Sequence, residues 1–563
     1  MKKQIDCLLI GHNDMNFGEY EESIRKMGIH SGAYRDLNLH FLQFKNKPYH
    51  LSGIFNLFYS HDEASLSSVK PVSMFDSFSA TIAYLASYLN RYGLIFDYVS
   101  SFQDEKEVLA EKLKQHNIRT IAITTTYYVS AIPILEIIDF IRKYNSTAKI
   151  IIGGPFIATK IRSLEDPMLI EYLFKNTLGA DFFVNSSQGE SALVKIIQAL
   201  NNDLSLDQIN NIYYKSGDTY IRTPTVRENN ILTENMVNWD LFLHDIDEYV
   251  NIRTSISCPF SCAFCGFPEH AGKFQTAGAQ DLEKELNQLA RIESLKGIKF
   301  IDDTFNVPVK RYKEILRMMI KNKYKFKWNS NFRCQFVDRE MVELMKESGC
   351  EMVFLGLESG NNQILKNMNK SALVEDYLEG IRLLKEYGII TFASFIIGFP
   401  GETEQTVKET IRFIKESGID FFRAAVWFCE HITPIWRERE RYKLSGESFE
   451  WRHATMDSKQ ASGFVDEIFL SIDDPLWIPL YNFDIDTLWH LIHRGVPLDK
   501  VRKLIGNFNR GIREKLIDPS RREVSISVLQ QLKMCCKTSN QRSGALVEEG
   551  NKTDRFNADF DLD

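Results

Sequence analysis

Short β-branched runs alternate with amphipathic helical segments in two separate stretches of this chain, residues 4 to about 200 and about 249 to 429. Few features limit a fold more, because a strand followed by a helix that packs back on its own sheet generates parallel strands covered by helices. In the first stretch the strands are IDCLLIG (5–11), IFDYVSS (95–101), TIAITTT (120–126), KIIIGG (149–154) and ADFFVNS (180–186), with helices near 78–92, 104–116, 131–144, 164–177 and 190–200. This predicts a doubly wound, Rossmann-like α/β domain over 1–200. An aromatic-rich insertion at 13–76 interrupts it and is too long for an ordinary crossover. The second stretch has strands VNIRTSIS, IKFID, KFKWNSNF, EMVFLGL, IITFASFIIG and IDFFRAAVWF, which predicts a partial (β/α)6 barrel over 246–430. Residues 201–245 read as a linker with a candidate strand at INNIYYK, 431–540 as a mostly helical C-terminal region, and the polar 541–563 as a disordered tail.

A chain of 563 residues with 44% hydrophobic side chains can bury several cores. Its net charge of −7 and the absence of any basic tract interleaved with aromatics give no electrostatic reason to expect nucleic acid as a partner. A small-molecule or peptide substrate is expected instead. The opening MKKQIDCLLIGHND has an apolar run too short for a signal peptide, and no run of about 18 apolar residues suggests a membrane helix. The reading is a cytoplasmic protein, in keeping with nine cysteines and no disulfide framework.

Three of those cysteines carry chemistry. Cys258, Cys262 and Cys265 follow the first strand of the second stretch with the spacing Cys-x3-Cys-x2-Cys. Three thiolates on one loop can ligate three irons of a [4Fe-4S] cubane and leave the fourth iron open to a chelating ligand. The competing reading is a zinc site completed by His270 or another residue, but the paired spacing of zinc ribbons is missing. In a barrel of this kind chemistry sits at the C-terminal ends of the strands, where this loop begins.

The loop resembles that of the radical S-adenosylmethionine superfamily, with Phe264 as the aromatic before the last cysteine, and the later segments FIDDTF (300–305), GLESG (356–360) and GFPGET (398–403) fit the same pattern. The resemblance implies that the open iron binds S-adenosylmethionine, which one electron, from a donor such as flavodoxin or ferredoxin, cleaves to methionine and a 5′-deoxyadenosyl radical. It marks Phe264, Phe267, Asp302 and Asp303 as cofactor contacts. Glu358 and Ser359 become candidates for the ribose or the ammonium, and Gly398 and Pro400 for the adenine side. Arg333 either binds a carboxylate of cofactor or substrate or pairs with a structural acid. Asp303 either contacts the cofactor or caps a helix, and Glu402 with Thr403 equally reads as a helix start.

In the first domain, Thr125 and Thr126, the segment GGPFIAT with Gly153, Gly154 and Pro155, and the segment SQGES with Ser187, Gly189 and Glu190 follow successive strands. They resemble the loops of the cobalamin-binding domain in class B radical S-adenosylmethionine enzymes. No Asp-x-His-x-x-Gly segment supplies a lower axial histidine, and His12 reads either as a ligand or as a structural residue. The resemblance implies methylation of an unactivated centre, with methylcobalamin delivering the methyl group. Segments including HSGAYRDLNL, FDSFSATIAYL and WRHATM (451–456) are most similar to the P-methyltransferase family of phosphinothricin tripeptide biosynthesis, which implies a phosphinate phosphorus, or a carbon, as acceptor. The alternatives are a cobalamin enzyme catalysing a rearrangement or cyclisation without methyl transfer, and a non-enzymatic cobalamin or metal sensor. WRHATM either lines the substrate pocket or packs the last region on the barrel.

Overall fold

The computed structural model describes residues 2–59, 71–128, 130–164 and 166–536, so the tail expected at 541–563 lies outside the described residues. Strand β1 (Gln4–His12) is buried without a break from Cys7 onward, the pattern of a central parallel strand covered on both faces. The insertion follows it. Among the described residues it holds helices Phe17–Lys26, Gly32–Asn38 and Leu51–Tyr59 and an antiparallel hairpin of β2 (Phe41–Phe44) and β3 (Lys47–His50). The sheet then resumes with β4 (Phe96–Ser101), β5 (Asn117–Thr124), β6 (Lys149–Gly153) and β7 (Phe182–Val184). The connecting segment contributes β8 (Ile212–Ser216) and β9 (Thr219–Arg222), which add antiparallel to the same sheet.

The order across this sheet is β4-β1-β5-β6-β7-β8-β9. Its strands run parallel from β4 to β7 but their order switches between β1 and β5, and in such sheets a ligand lies beyond the carboxyl ends of the strands at that switch point.

The second half opens with β10 (Tyr249–Ile252), followed by a small ribbon of β11 (Ser255–Ile256) and β12 (Gln275–Thr276). The barrel strands β13 (Gly297–Phe300), β14 (Lys327–Phe332), β15 (Cys350–Glu358), β16 (Ile390–Ile397) and β17 (Phe421–Val426) come next. A hairpin of β18 (Ser445–Glu447) and β19 (Glu450–Arg452) precedes β20 (Leu476–Trp477). All six expected barrel strands are parallel neighbours in the order β10-β13-β14-β15-β16-β17, and β20 extends them as a seventh. Two residues are too few to show a period of two, which is why β20 was hidden in a region read as helical. The rest of that region is mostly helix: Ser458–Ser471, Ile485–His493, Leu498–Ile517 and Ile526–Cys536.

Helix Ile485–His493 closes the N-terminal mouth of the barrel. Trp489 lies so close to Gly297 that an added Cβ would come within 2.1 Å of its ring, and its indole donates to Glu351 at 2.6 Å. Asp486, buried, pairs with Lys299 and accepts from Asn329 at 3.2 Å. With that end plugged, the C-terminal ends of the strands are left for chemistry. Phe78 bridges Val250 in parallel fashion, setting the first half against the free edge of β10. Among the described residues no helix is long and apolar enough to cross a membrane.

Candidate active site

The loop after β10 is fixed before the first cysteine is reached. Asp302, at the end of β13, accepts from the backbone N–H groups of Thr254 (2.7 Å) and Ser255 (2.6 Å) and from the Thr254 hydroxyl. Arg311 ties down the other side, donating to the Thr254 and Ala277 carbonyls at 3.0 and 2.6 Å. Ser257 then adopts a left-handed backbone with φ +68°, which turns the chain into Cys258. The sequence marks Asp302 as a cofactor contact, whereas the structure engages its carboxylate as a brace for the loop.

Asp303 next to it is different. Its side chain is open to solvent yet ringed by protein, and the low-dielectric surroundings and the Asp302 charge push its carboxyl up to about 7. It therefore sits in a crevice, on the side of the cysteines.

All three thiols are free, Cys262 buried and Cys258 and Cys265 half-buried. Burial raises the thiols of Cys258 and Cys265, the latter to about 11, so their ionisation calls for a cation, which a cluster iron provides. Among the described residues no three His, Cys, Asp or Glu side chains gather as they would around one metal ion. His270, the partner in the zinc reading, faces Arg162 of the first domain. The Cys258 sulfur lies 3.9 Å from the Thr304 hydroxyl, and the loop is anchored where Ala263 donates to the Met368 carbonyl at 2.8 Å and Asn369 to the Ser261 carbonyl at 2.8 Å.

Arg333 lies in the middle of this assembly. Its guanidinium donates to the Cys262 sulfur at 3.1 Å and to the Lys370 carbonyl at 3.3 Å, and it stacks on Phe260 with its centre 3.6 Å from the ring centroid. Glu358 ends β15 with a left-handed φ of +67°, which turns its carboxylate to a buried ion pair with Lys370 at 2.9 Å. The Lys370 ammonium also lies 5.6 Å from the centroid of Phe264. Lys370 belongs to no motif and sequence reasoning missed it. Only the basic residue following the NMN turn after helix Asn362–Asn367 hinted at it.

Ser359 sits behind this site, 3.4 Å from the Thr410 hydroxyl, and Phe267 opens helix Phe267–Ala271 beyond the cysteines. Gly398 has φ +91°, and a Cβ there would lie 2.4 Å from Trp451. Its carbonyl meets His453 Nε2 at 3.1 Å, and its N–H is taken by Glu402. The Pro400 carbonyl accepts from Asn367 at 3.3 Å. His453 stacks on the buried Trp451 and its Nδ1 lies 3.1 Å from the Thr455 hydroxyl, while the Trp451 indole donates to the Trp427 carbonyl at 2.7 Å, so WRHATM packs the C-terminal region onto the ends of the fifth and sixth strands of the barrel. Glu402, read as a helix start, is fully buried with one carboxylate oxygen unpartnered. Burial pushes its carboxyl up to about 8 against the donors Gly398 and Phe399.

The loops of the first domain form an exposed rim. Thr126, Tyr127, Pro155 and Ser187 are exposed at the ends of β5, β6 and β7. Behind them Thr125 donates to the Gly153 carbonyl at 2.9 Å, and Gly154 has φ +113°, where a Cβ would lie 2.8 Å from the Thr125 hydroxyl. The helix expected near 164–177 is present as Pro167–Tyr172 continued by a π-helical segment Leu173–Leu178, and an additional helix, Pro155–Ser163, begins within GGPFIAT, where proline is preorganised for a first helical position. Gly189, with φ +76°, introduces helix Glu190–Asn201. Glu190 is buried, 3.9 Å from Arg253 and 3.1 Å from Asn230. Burial holds its carboxyl up near about 7 despite the Arg253 charge. His12 stacks on Phe75 with its Nε2 buried and unpartnered, and burial lowers it to about 4.

The two halves meet around the cysteines. Arg253, five residues before Cys258, touches Glu190 and takes the Tyr84 hydroxyl on its carbonyl at 2.9 Å. His270, five residues after Cys265, touches Arg162. Residues 252–414 match the model of the Radical SAM superfamily. This segment is a radical SAM domain. The chain is 26% identical over 52% of its length to an uncharacterized methyltransferase of Pyrococcus horikoshii, of which it spans 64%. It is 25% identical over 64% of its length to the anaerobic magnesium-protoporphyrin IX monomethyl ester cyclase of Cereibacter sphaeroides, of which it spans 60%. It thus covers less than two thirds of either relative. In fold it is similar to the radical S-adenosylmethionine methyltransferase TsrM from Kitasatospora setae, a structure with cobalamin and a [4Fe-4S] cluster bound. The TM-score is 0.58 at 16% identity, over 80% of this chain and 97% of that one.

Proposed function

We propose that this protein is a cobalamin-dependent radical S-adenosylmethionine methyltransferase that methylates an unactivated centre of a small-molecule or peptide natural-product intermediate. The observation that carries the reading is that first-domain residues contact the segments on either side of the cysteine loop, Glu190 at Arg253 before it and Arg162 at His270 after it.

The residues present fit both groups. Three free thiols, a buried guanidinium and a buried Glu358–Lys370 pair surround the one position. At the other, Gly154 lets the backbone close on Thr125, where a Cβ would collide at 2.8 Å, and the exposed Thr126 and Ser187 offer hydroxyls to the amide side chains of a corrin. Cys258, Cys262 and Cys265 would hold the [4Fe-4S] cluster, with Glu358, Ser359, Gly398 and Pro400 around S-adenosylmethionine and Thr125, Thr126, Gly153, Gly154, Pro155, Ser187 and Gly189 around cobalamin. When bound, these groups supply a hydrogen-abstracting radical and a transferable methyl group, given an electron from a donor such as flavodoxin or ferredoxin. The protein's own part is to hold the two sites in line. Asp302 and Arg311 fix the cysteine loop, and Glu190 with Tyr84 fixes Arg253 at its root. Similarity to the P-methyltransferase family supports a phosphinate phosphorus, or a carbon, as acceptor.

A second reading, a cobalamin enzyme catalysing cyclisation without methyl transfer, is favoured by the 25% identity to the cyclase. One experiment separates them without knowledge of the acceptor. The full chain is reconstituted anaerobically, loaded with cobalamin, reduced and given methyl-labelled S-adenosylmethionine. The methyltransferase reading expects labelled methylcobalamin on the protein, and its absence from a preparation that forms 5′-deoxyadenosine sinks that reading.

A further inference from the structure

We propose that Arg333 sets the reduction potential of the cluster held by the three cysteines, by presenting a hydrogen bond and an unneutralised positive charge to the sulfur of Cys262. This rests on the radical SAM reading of the cysteine loop and adds a role for Arg333 other than carboxylate binding or pairing with an acid.

The geometry is specific. Arg333 is 5% exposed, and among the described residues its side-chain partners are a thiol sulfur at 3.1 Å, a carbonyl at 3.3 Å and an aromatic face at 3.6 Å, none of them an anion. A buried cation left without a counter-ion is costly unless a ligand supplies the negative charge. The residue is also anchored through its main chain. Its backbone N–H donates to Asn306 Oδ1 at 3.0 Å, its carbonyl accepts from Asn306 Nδ2 at 2.9 Å, and the flat face lies on Phe260.

A thiolate bound to iron keeps lone pairs for an N–H donor. Reduction takes one electron from a low-potential donor, such as a reduced flavodoxin or ferredoxin, and converts [4Fe-4S]2+ to [4Fe-4S]+. The cluster and its three thiolates then carry one more negative charge. A fixed cation against one of those thiolates stabilises the more negative state, so it makes reduction easier. Lysine would keep the charge but lose the stacking on Phe260 and the fork that reaches sulfur and carbonyl together.

The test is an EPR-monitored redox titration of the reconstituted full chain, with dithionite as reductant. Midpoints are compared for the wild type, Arg333→Gln, Arg333→Lys and Phe260→Leu, alongside iron and sulfide content. The expected midpoint is more negative in Arg333→Gln, intermediate in Arg333→Lys, and shifted less far the same way in Phe260→Leu, where the guanidinium stays but loses its platform. An Arg333→Gln protein with full cluster and an unshifted midpoint overturns the proposal. Should that variant not take up iron, an unshifted midpoint in fully loaded Phe260→Leu overturns it equally. Failure of the wild type to load a cluster is a different result, which defeats the radical SAM reading itself.

Discussion

The strand ends of the barrel and those of the first sheet are built on opposite plans. Around the cysteines nearly every polar group is buried and committed: Asp302 to Thr254 and Ser255, Glu358 to Lys370, Arg333 to Cys262. Along β5, β6 and β7 the corresponding side chains, Thr126, Pro155 and Ser187, lie exposed with few contacts. The barrel end is preorganised for a small cofactor whose atoms are placed one by one. The rim suits a broad ligand that gains through area and backbone approach, so single side chains there carry little of the binding.

That contrast can be broken at either end. Cys258→Ala is expected to abolish cluster loading and formation of 5′-deoxyadenosine, a loss of at least about 100-fold of the kind that follows removal of a metal ligand, read from iron content and product assay. Retained activity would remove the cysteine assignment. Glu402→Gln probes the committed carboxylates through pH. The folded protein holds a proton on Glu402 up to about pH 8, against 4.5 ordinarily. Between those values the native state binds more protons than the unfolded one, and wild-type stability falls as pH rises through that window. The Gln variant lacks this slope, so it should match the wild type in acid and exceed it by up to a few kcal/mol above pH 8, as denaturation midpoints near about pH 5 and about pH 9 would show. Equal slopes would mean that Glu402 is ionised in the fold.

Asp302→Ala, which strands two buried N–H donors, should lower the denaturation midpoint by the equivalent of about 1–3 kcal/mol, while Asp303→Asn, in the crevice, should leave it nearly unchanged. At the rim, Gly154→Ala must fit a Cβ at φ +113° and 2.8 Å from Thr125. Methylcobalamin affinity should drop about tenfold, roughly the cost of such backbone strain, with cluster iron unchanged, as absorbance titration would reveal. Ser187→Ala should change that affinity by less than about threefold, the value of one exposed hydrogen bond. A large effect at Ser187 and none at Gly154 would invert the picture of the rim.

Much of this was legible in the sequence, for reasons that differ by residue. The parallel strands announce themselves because a strand buried on both faces reads as an unbroken apolar run, as Cys7–His12 does. The cysteine loop is legible because its ligands are adjacent in the chain. Lys370 was not, since its meaning comes from Glu358 and Phe264, partners that only the fold brings near. Asp302 and Asp303 are identical residues side by side. Only the direction each side chain takes from the strand end separates the brace from the crevice carboxylate, and direction is set by the barrel. The ion-pair partner of Glu190 was hidden for a related cause, because Arg253 lies in the other half of the molecule.

The insertion near the N-terminus has a consequence for how the chain comes to be folded at all. Lys515 donates to the Asn38 and Phe41 carbonyls at 2.7 and 2.8 Å, and Ser52 to the carbonyl of Asn482. The segment holding Phe17, Phe41 and Leu51 therefore finishes its packing only after residues some 477 positions later emerge. At a synthesis rate of about 5–20 residues per second that wait lasts roughly 25–95 s. Throughout it an apolar, aromatic surface stands uncovered on the nascent protein. Soluble yield should accordingly fall when elongation is slowed and rise when a holding chaperone is supplied, and a chain ending before residue 498 should aggregate although both of its parallel sheets are complete.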